Sequence, residues 1–212
     1  MEEAGVSVTE DAKAADGTVV LVAVDGSMIG WILIADTLKP EAQDAVRQLK
    51  SLNITTAMLT GDDTATAQAV GSSLGIDEIH AKLLPGQKLE ELQFIRSAHG
   101  AVMFVGDGIN DAPVLSGADV GAAMGSGADA AIEAADVVFM TSRVDAIPAS
   151  ISIARRTQSI AWQNVVFALA VKILVMILGL FGHASMWLAV FADSGVAMLC
   201  VLNSIRMLYR KK

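Results

Sequence analysis

The chain has 212 residues, a formal net charge of −8, one cysteine and 53% hydrophobic residues. An acidic chain lacks the basic surface that the phosphates of nucleic acids require, and a single cysteine excludes an internal disulfide framework. The segment before about Pro148 carries most of the acidic charge, whereas the segment after it is overwhelmingly apolar. The opening Met1–Gly17 is polar, without the apolar core of a signal peptide. We therefore expect a soluble part followed by a membrane part, and no nucleic-acid partner.

The first elements are predicted to form a β-hairpin and a helix. Two apolar runs, Thr18–Val24 and Ile29–Ala35, flank Asp25-Gly26-Ser27. Asp-Gly between β-forming residues is a strong hairpin signal. Pro40 suits the first turn of a helix, which is predicted over Glu41–Leu52.

Strands and helices are then predicted to alternate. Gly75 and Gly100 are placed to end two of the helices. Alternation at this spacing indicates an α/β fold in which a parallel sheet is covered on both faces. The predicted strands are Ile54–Leu59, Ala101–Val105, Val120–Ala123 and Val137–Met140, and the predicted helices are Ala65–Leu74, Pro85–Ala98 and Gly127–Ala134.

The segment Val102–Leu115 carries the most specific chemical pattern. An apolar strand stops at Gly106-Asp107-Gly108, and Asn110 and Asp111 follow. Open α/β sheets bind ligands at the carboxyl ends of their strands. Carboxylate and amide oxygens with no thiolate or imidazole nearby suit a hard cation, and Mg²⁺ holding a phosphate is the natural candidate. A turn followed by a helix cap uses the same residue types, but the long ordered motif favours the ligand site.

The final third is predicted to form a transmembrane hairpin. The runs Ala161–Phe181 and Met186–Leu208 are joined by four residues, and the first run would span about 31 Å as a helix. A helix over Val144–Gln158 is expected to continue into the first span. Basic residues flank the outer ends, which predicts that both termini are cytoplasmic. These residues are Arg155, Arg156, Arg206, Arg210, Lys211 and Lys212.

Two charges fall inside these apolar runs. A charge in hydrocarbon costs several kcal/mol, so Lys172 and Asp193 are functional candidates by default. In an antiparallel hairpin their depths differ by about 4–5 Å, so their side chains can meet. The structural alternative is an ion pair that holds the hairpin together, and this pairing is compatible with function.

Three motifs at strand-to-helix junctions, T-G-D, P-x-x-K and G-D-G-x-N-D, occur in the order of the second to fourth motifs of the haloacid-dehalogenase superfamily. T-G-D and G-D-G-x-N-D-x-P together resemble the P-type ATPase branch. The resemblance implies a haloacid-dehalogenase-like, Rossmann-like domain that uses Mg²⁺ and ATP. In it Asp107 binds Mg²⁺ with support from Asp111. The implied catalytic residues are Thr60, Gly61, Asp62, Lys88, Asp107, Asn110 and Asp111, with Gly106 and Gly108 binding the cofactor.

Asp36-Thr37-Leu38-Lys39-Pro40 resembles the D-x-x-[RK]-P element of the same branch, which lies at the hinge of the nucleotide domain. The resemblance implies that Asp36 and Lys39 contact ATP. Lysine in place of the frequent arginine loses any bidentate contact.

The nucleophile sequence D-K-T-G-T of that family is absent. The resemblance therefore implies the end of a nucleotide-binding domain over residues 1–35, a phosphorylation domain without its nucleophile strand over 36–150, and two membrane helices over 151–212. The missing N-terminal part of the pump becomes an expected partner, and this chain alone is expected to be inactive. Asp25 follows a strand, but Ser27 stands where a second carboxylate is needed, which favours a hairpin turn.

The membrane segment narrows the resemblance. A-L-A-V-K after Gln163-Asn164, and W-L-A-V-F-A-D-S-G, resemble the zinc, cadmium and lead branch of heavy-metal P-type ATPases. By resemblance, Asp193 would bind the transported Zn²⁺, Cd²⁺ or Pb²⁺, and Lys172 would be its counter-ion. The chain would be an integral protein of a bacterial plasma membrane, with ATP, a divalent metal ion and the bilayer as partners.

Two alternatives stay open at this point. The chain could be a self-sufficient membrane-tethered phosphatase of the haloacid-dehalogenase type that uses Asp25. It could also be a non-catalytic truncated remnant, because two spans are too few for a transport pathway.

Overall fold

The computed structural model describes residues 18–25, 27–34, 37–183 and 185–208. The chain divides into two compact units, Met1–Ala42 and Gln43–Lys212. Met1–Gly17 lies outside the described residues.

The first unit contains the predicted hairpin. Strand β1, Thr18–Val24, pairs antiparallel with β2, Ser27–Ile34, and the register runs from Thr18 opposite Ile34 to Val24 opposite Ser27. Asp25 in the turn has a φ of 49°, the left-handed conformation that such tight turns require and that Asp tolerates. The prediction is confirmed, although β2 begins two residues earlier than Ile29.

The second unit begins with alternating helices and strands, as predicted. Gly75 has a φ of 74° and its amide donates to the carbonyl of Ser72, so it ends its helix in the left-handed conformation. The helices are α1 (Ala42–Ser51), α2 (Thr64–Leu74), α3 (Pro85–His99), α4 (Ala112–Gly117) and α5 (Asp129–Ala134), and the strands are β3 (Ala57–Leu59), β4 (Glu78–His80), β5 (Met103–Gly106), β6 (Val120–Met124) and β7 (Val137–Phe139).

The strands form two parallel sheets and not the single sheet that the sequence predicts. Strand β3 pairs with β4, and β5, β6 and β7 pair in that order. Within the described residues, no strand pairs with both β3 and β5, so the hydrogen-bonded ladder is interrupted between them. Strand β4 is absent from the sequence prediction because its Glu-Ile-His is too short and too polar to form an apolar run.

Strand β6 forms the centre of the packed core. Successive side chains of a strand point to opposite faces, and both faces of β6 are covered by apolar residues. Ala122 and Met124 pack with Phe139 and Ile147 on one face. Ala123 packs with Leu115 and Ala131 on the other. The small side chains of β6 therefore let elements approach from both sides.

The chain then forms a helical hairpin. Helix α6, Ala146–Leu180, has 35 residues and is about 52 Å long. The returning helix comprises α7 (Met186–Val190), a π-helical turn (Phe191–Gly195) and α8 (Val196–Ile205). Both helices are long and apolar enough to cross a membrane, with mean hydropathies of 2.1 and 1.8, and their apolar windows are almost wholly unburied. The continuous first helix and the second span are confirmed, but the π-helical turn is not in the prediction.

Candidate functional site

Asp111 turns back toward the end of β5. The strand ends at Gly106, and a 3₁₀ turn over Ile109–Asp111 follows. One oxygen of the Asp111 carboxylate lies 2.9 Å from Lys88 Nζ, and the other accepts from the Gly108 amide at 3.2 Å. The side chains of Lys88 and Asp111 are only 18% and 13% exposed. The structure therefore brings together a cation from α3 and a carboxylate from the predicted Mg²⁺ motif.

The two glycines of the motif make room for this carboxylate. A Cβ on Gly106 would lie 2.9 Å from Asp111 Cβ, and one on Gly108 would lie 3.2 Å from Asp111 Oδ2. A third glycine, Gly127, is equally constrained, because its Cβ would lie 2.8 Å from the Asp107 carbonyl oxygen. The Ala128 amide donates to that same carbonyl at 2.9 Å. Gly127 and Ala128 therefore fix the backbone of Asp107, a role that sequence reasoning missed although Gly-Ser-Gly after β6 was a signal.

The side chains of Asp107 and Asn110 are exposed. Among the described residues, no hydrogen bond or ion pair engages the Asp107 carboxylate. The described residues also contain no cluster of three His, Cys, Asp or Glu side chains able to hold a metal. Mg²⁺ commonly uses one or two carboxylates together with water and a phosphate. An open Asp107 beside an oxygen-only donor set fits that requirement.

The T-G-D motif forms a second group at the end of β3. Thr60 Oγ1 donates to the Asp62 carboxylate at 2.7 Å and accepts from the Asp62 amide at 3.1 Å. The Leu83 amide donates to the Thr60 carbonyl, and a Cβ on Gly61 would lie 3.4 Å from the Leu83 carbonyl oxygen. No hydrogen bond or ion pair links this group to Lys88 and Asp111 within the described residues.

Helix α2, which follows T-G-D, is capped by Asp63. Its carboxylate accepts from the Thr66 hydroxyl at 2.7 Å and from the Ala65 and Thr66 amides. The Thr66 hydroxyl contributes most to lowering the pKa of Asp63, and the two amides add to it. The cap fixes where the loop that carries Thr60 and Gly61 ends.

The remaining predicted cytosolic residues belong to the first compact unit. Lys39 is exposed, and its carbonyl accepts from the Ala42 amide at 2.9 Å. Asp36 lies outside the described residues. Asp25 occupies the turn between β1 and β2, as the hairpin interpretation predicts.

In the helical hairpin, Lys172 Nζ lies 3.3 Å from Asp193 Oδ1, so the predicted pair is confirmed. Asp193 sits within the π-helical turn, a feature that often marks functional sites. A Cβ on Gly195 would lie 2.6 Å from the Phe191 ring, so the glycine makes room for that ring across the turn.

Cys200 and Asp193 both contact α6, through Asn164 and Lys172 respectively. Ala192 and Val196 are buried and Cys200 is half-buried against α6, whereas the Asp193 side chain is 77% exposed.

The match to a family model covers residues 5–119, more than half of the chain, and the model is described as haloacid dehalogenase-like hydrolase. A cadmium, zinc and cobalt-transporting ATPase of Bacillus subtilis strain 168 is 52% identical over 200 residues, which cover 92% of this chain and 28% of that protein. A zinc-transporting ATPase of Synechocystis sp. strain PCC 6803 is 50% identical over 195 residues, which cover 90% of this chain and 27% of that protein.

A solved structure of a metal-transporting ATPase is also similar to this chain. The crystal structure of a zinc-transporting PIB-type ATPase in the E2.Pi state matches with a TM-score of 0.82 and 37% identity, covering 93% of this chain and 32% of that one. The resemblance to heavy-metal P-type ATPases is thus confirmed for the α/β part and the helical hairpin together. The chain spans little more than a quarter of the length of the curated relatives that it matches.

Proposed function

The chain belongs to the haloacid dehalogenase-like hydrolase family, and from its similarity to metal-transporting ATPases we propose that it is the carboxyl-terminal part of an ATP-driven exporter of Zn²⁺, Cd²⁺ or Pb²⁺. Residues 1–35 end a nucleotide-binding domain, residues 36–150 form the phosphorylation domain, and residues 151–212 form two membrane helices. The chain couples Mg²⁺-dependent phosphoryl transfer in the cytosol to metal translocation.

In the cytosolic site, Asp107 holds Mg²⁺, and Asp111 and Asn110 support it. Bound Mg²⁺ neutralises the negative charge that develops on the transferred phosphoryl group. Lys88 places a second cation beside the site, where its 2.9 Å contact with Asp111 fixes both side chains. The Gly61 amide donates to phosphoryl oxygens. The Thr60 hydroxyl has a single proton, which the Asp62 carboxylate accepts here, so Thr60 donates to phosphate only after it releases Asp62. Gly106 and Gly108 let the chain pass close to Asp111.

Nucleotide contact comes from the segment that follows the hairpin. Asp36 and Lys39 contact ATP, and Lys39 interacts as a point charge because it has no guanidinium fork. The expectation rests on the sequence motif and on the exposure of Lys39.

In the membrane, Asp193 binds the transported metal ion, and Lys172 neutralises Asp193 after the ion has left. Lys172 Nζ lies 3.3 Å from Asp193 Oδ1. This contact supports the proposal, because the same carboxylate can then bind either the metal ion or the Lys172 ammonium group. The Lys172 and Asp193 side chains are 57% and 77% exposed in the isolated hairpin. Charges inside a membrane almost always face protein or water, so further helices of the pump must cover this face.

The missing N-terminal part of the pump supplies the phosphorylated aspartate and those helices. Within the described residues no strand joins β3 to β5, and the carboxyl ends of both strands lead into predicted phosphate-binding motifs. A further strand that carries the phosphorylated aspartate would fit between them, which supports this part of the proposal. We further propose that the hairpin lies in the plasma membrane of a bacterium with both termini in the cytoplasm, and the basic flanks of the spans support that orientation.

One observation carries the proposal: the oxygen-donor site follows β5 in the α/β part, the Lys172–Asp193 pair lies in the apolar hairpin, and both occur in one compact unit. The test uses the full-length protein that contains this segment, purified and reconstituted in vesicles, with Zn²⁺-stimulated ATP hydrolysis and Zn²⁺ uptake measured together. Asp107→Asn is expected to abolish both activities. Asp193→Asn is expected to abolish uptake and the stimulation by Zn²⁺.

A matched control is Asp44→Asn, since Asp44 is an exposed acid on α1 that contacts only Arg47 in the described part. It should retain both activities. Zn²⁺ uptake that survives Asp193→Asn, or ATP hydrolysis that survives Asp107→Asn, would refute the proposal. Acid-stable phosphate incorporated from ATP at Asp25 of the 212-residue chain would favour the phosphatase alternative instead.

A further inference from the structure

A network of side-chain amides joins the two apolar helices near their cytoplasmic ends. Asn164 Nδ2, on α6, donates to Ser204 Oγ at 2.9 Å and to the Cys200 carbonyl at 3.2 Å, both on α8. Asn203 Nδ2 donates to Asn164 Oδ1 at 2.8 Å. Asn203 Oδ1 accepts from Arg206 at 2.9 Å. We call Asn164, Asn203 and Ser204 the polar clamp.

The polar clamp is fully satisfied. Both asparagine side chains use their oxygen and their nitrogen, and each orientation is fixed by a donor on one side and an acceptor on the other. A polar group in an apolar segment that found no partner would be costly, so a complete network holds the helices in one arrangement.

Two weaker polar contacts lie at the same end of the helices, where Gln163 Oε1 accepts from Asn203 at 3.4 Å and Arg156 donates to the Arg206 carbonyl at 3.2 Å. The apolar part of the interface carries little information about register. The α6 residues that face α8 are buried or half-buried at helical spacing, and apart from Asn164 they are apolar: Ile160, Ala168, Val171, Val175 and Leu178. Opposite them, Ala192 and Val196 are buried. Lipid tails are as apolar as these side chains, so contacts of this kind give no strong preference for one axial position.

The polar clamp and the charged pair share one register. Lys172 lies eight residues beyond Asn164, about 12 Å along α6. On the returning helix, Asp193 lies seven residues before Cys200 and ten before Asn203, about 10–15 Å away. The distance along α6 from Asn164 to Lys172 thus matches the distance along the returning helix from the polar clamp to Asp193. Because the two helices are antiparallel, Lys172 and Asp193 lie at the same height. A slip of one turn, about 5.4 Å, would separate them.

We propose that Asn164 and Asn203 are positioning residues whose interhelical hydrogen bonds set the axial register that places Lys172 against Asp193. The polar clamp acts through the helices and contacts neither charge. This inference rests on the proposed function only for the role of the pair, and the register itself is independent of transport.

The test reads that register directly in the complete 212-residue chain, reconstituted in phosphatidylcholine vesicles in a Cys200→Ala background. Lys172→Cys is combined with Asp193→Cys as the matched pair, and with Ala189→Cys or Ala197→Cys as pairs displaced by one turn. A bifunctional methanethiosulfonate about 5 Å long links the cysteines. The measured quantity is the ratio of the cross-linking rate of the matched pair to that of the displaced pairs.

Asn164→Leu and Asn203→Leu are each expected to lower this ratio about threefold to tenfold, which is the range for interhelical hydrogen bonds in membranes. Because the two amides act as one unit, the double variant should be no lower than the lower single variant. Asn164→Gln, which keeps both donors and the acceptor, should restore part of the ratio. Thr157→Val is the matched control, because the Thr157 hydroxyl donates only to Ile153 of its own helix.

An unchanged ratio in both leucine variants overturns the proposal, and so does an equal fall in Thr157→Val or additive losses in the double variant. A general loosening of the hairpin would slow all pairs alike and leave the ratio constant, which also counts against register control. The assay contains no transported metal. If the full-length pump failed to move Zn²⁺ while the ratio fell as expected, the proposed function would fail and the polar clamp would stand.

Discussion

Replacing Gly106 by alanine should disturb the proposed phosphate site without removing any charged group. The new Cβ would lie 2.9 Å from Asp111 Cβ, 3.0 Å from Asp111 Oδ2 and 3.0 Å from Phe104 Cε1. Ordinary contacts at such positions are 3.4–4 Å, so Asp111 must move by about 0.5 Å. Its carboxylate cannot move freely because Lys88 and the Gly108 amide both hold it.

Overpacking of this kind costs about 1–3 kcal/mol of stability. Mg²⁺ demands near-ideal distances, and the loss of a supporting contact around a metal lowers affinity about tenfold to a hundredfold. We therefore expect Gly106→Ala to weaken Mg²⁺ binding by at least about tenfold. The assay is a Mg²⁺ titration of the ¹⁵N-labelled chain in detergent, followed by the shift of the Gly108 amide, with urea unfolding measured in parallel.

Gly86→Ala is the matched control, because Gly86 lies in the first turn of α3 and a Cβ there would meet nothing within 4 Å. It should keep the wild-type Mg²⁺ affinity and gain about 0.5–1 kcal/mol of stability. Mg²⁺ affinity that is equal in Gly106→Ala and wild type would show that Asp111 is not part of the cation site, and the reasoning from the glycines would be refuted.

Two further predictions concern charges. Hydrogen bonds from Lys50 and then Thr56 lower the pKa of Asp77 from 3.8 to about 2, so its stabilisation is complete above about pH 4 and lost as the pH falls toward 2. Asp77 is partly exposed, so Asp77→Asn should cost only about 1 kcal/mol at pH 7, and most of that cost should be lost near pH 2, where Asp77 is half protonated, as measured by hydrogen exchange in β3 and β4; an equal cost at both pH values would contradict this. In the membrane, Lys172→Met and Asp193→Asn each leave one unpaired charge, so the gain in apparent insertion free energy of the double variant over wild type should exceed the sum of the two single gains by about 1–3 kcal/mol in a microsomal glycosylation assay, whereas additive gains would refute the pairing.

The helices and the chemical motifs could be predicted because their signals are local. Pro85 fixes the start of α3, and Gly75 in the left-handed conformation fixes the end of α2. The Lys172–Asp193 contact also followed from the sequence, since the antiparallel geometry of a short hairpin leaves few possible depths. The roles assigned to the phosphate-site residues stay predictions, although Lys88 and Asp111 do meet.

The parts that could not be predicted depend on contacts distant in sequence. Strand β4 forms because Thr60 donates its amide to the His80 carbonyl and Thr56 pairs with Asp77, and a three-residue run carries no periodic signal of its own. The π-helical turn around Asp193 leaves no trace in an apolar sequence. The Asn164–Asn203 contact joins residues 39 apart, and each asparagine alone resembles an ordinary residue near the end of a span.

Helix α6 connects the two predicted sites physically. Ile147 in its first turn packs with Met124 and Phe139 in the core of the α/β part, and Arg155 donates to the carbonyl of Leu52 at 2.7 Å. The helix continues without interruption to Lys172, about 37 Å beyond Ile147. Close-packed protein interiors transmit strain, so we expect a movement of β6 and β7 to displace the base of α6. We expect the polar clamp to carry that displacement to α8, so that a change at the proposed phosphate site would reach Asp193 through both helices and not through Lys172 alone.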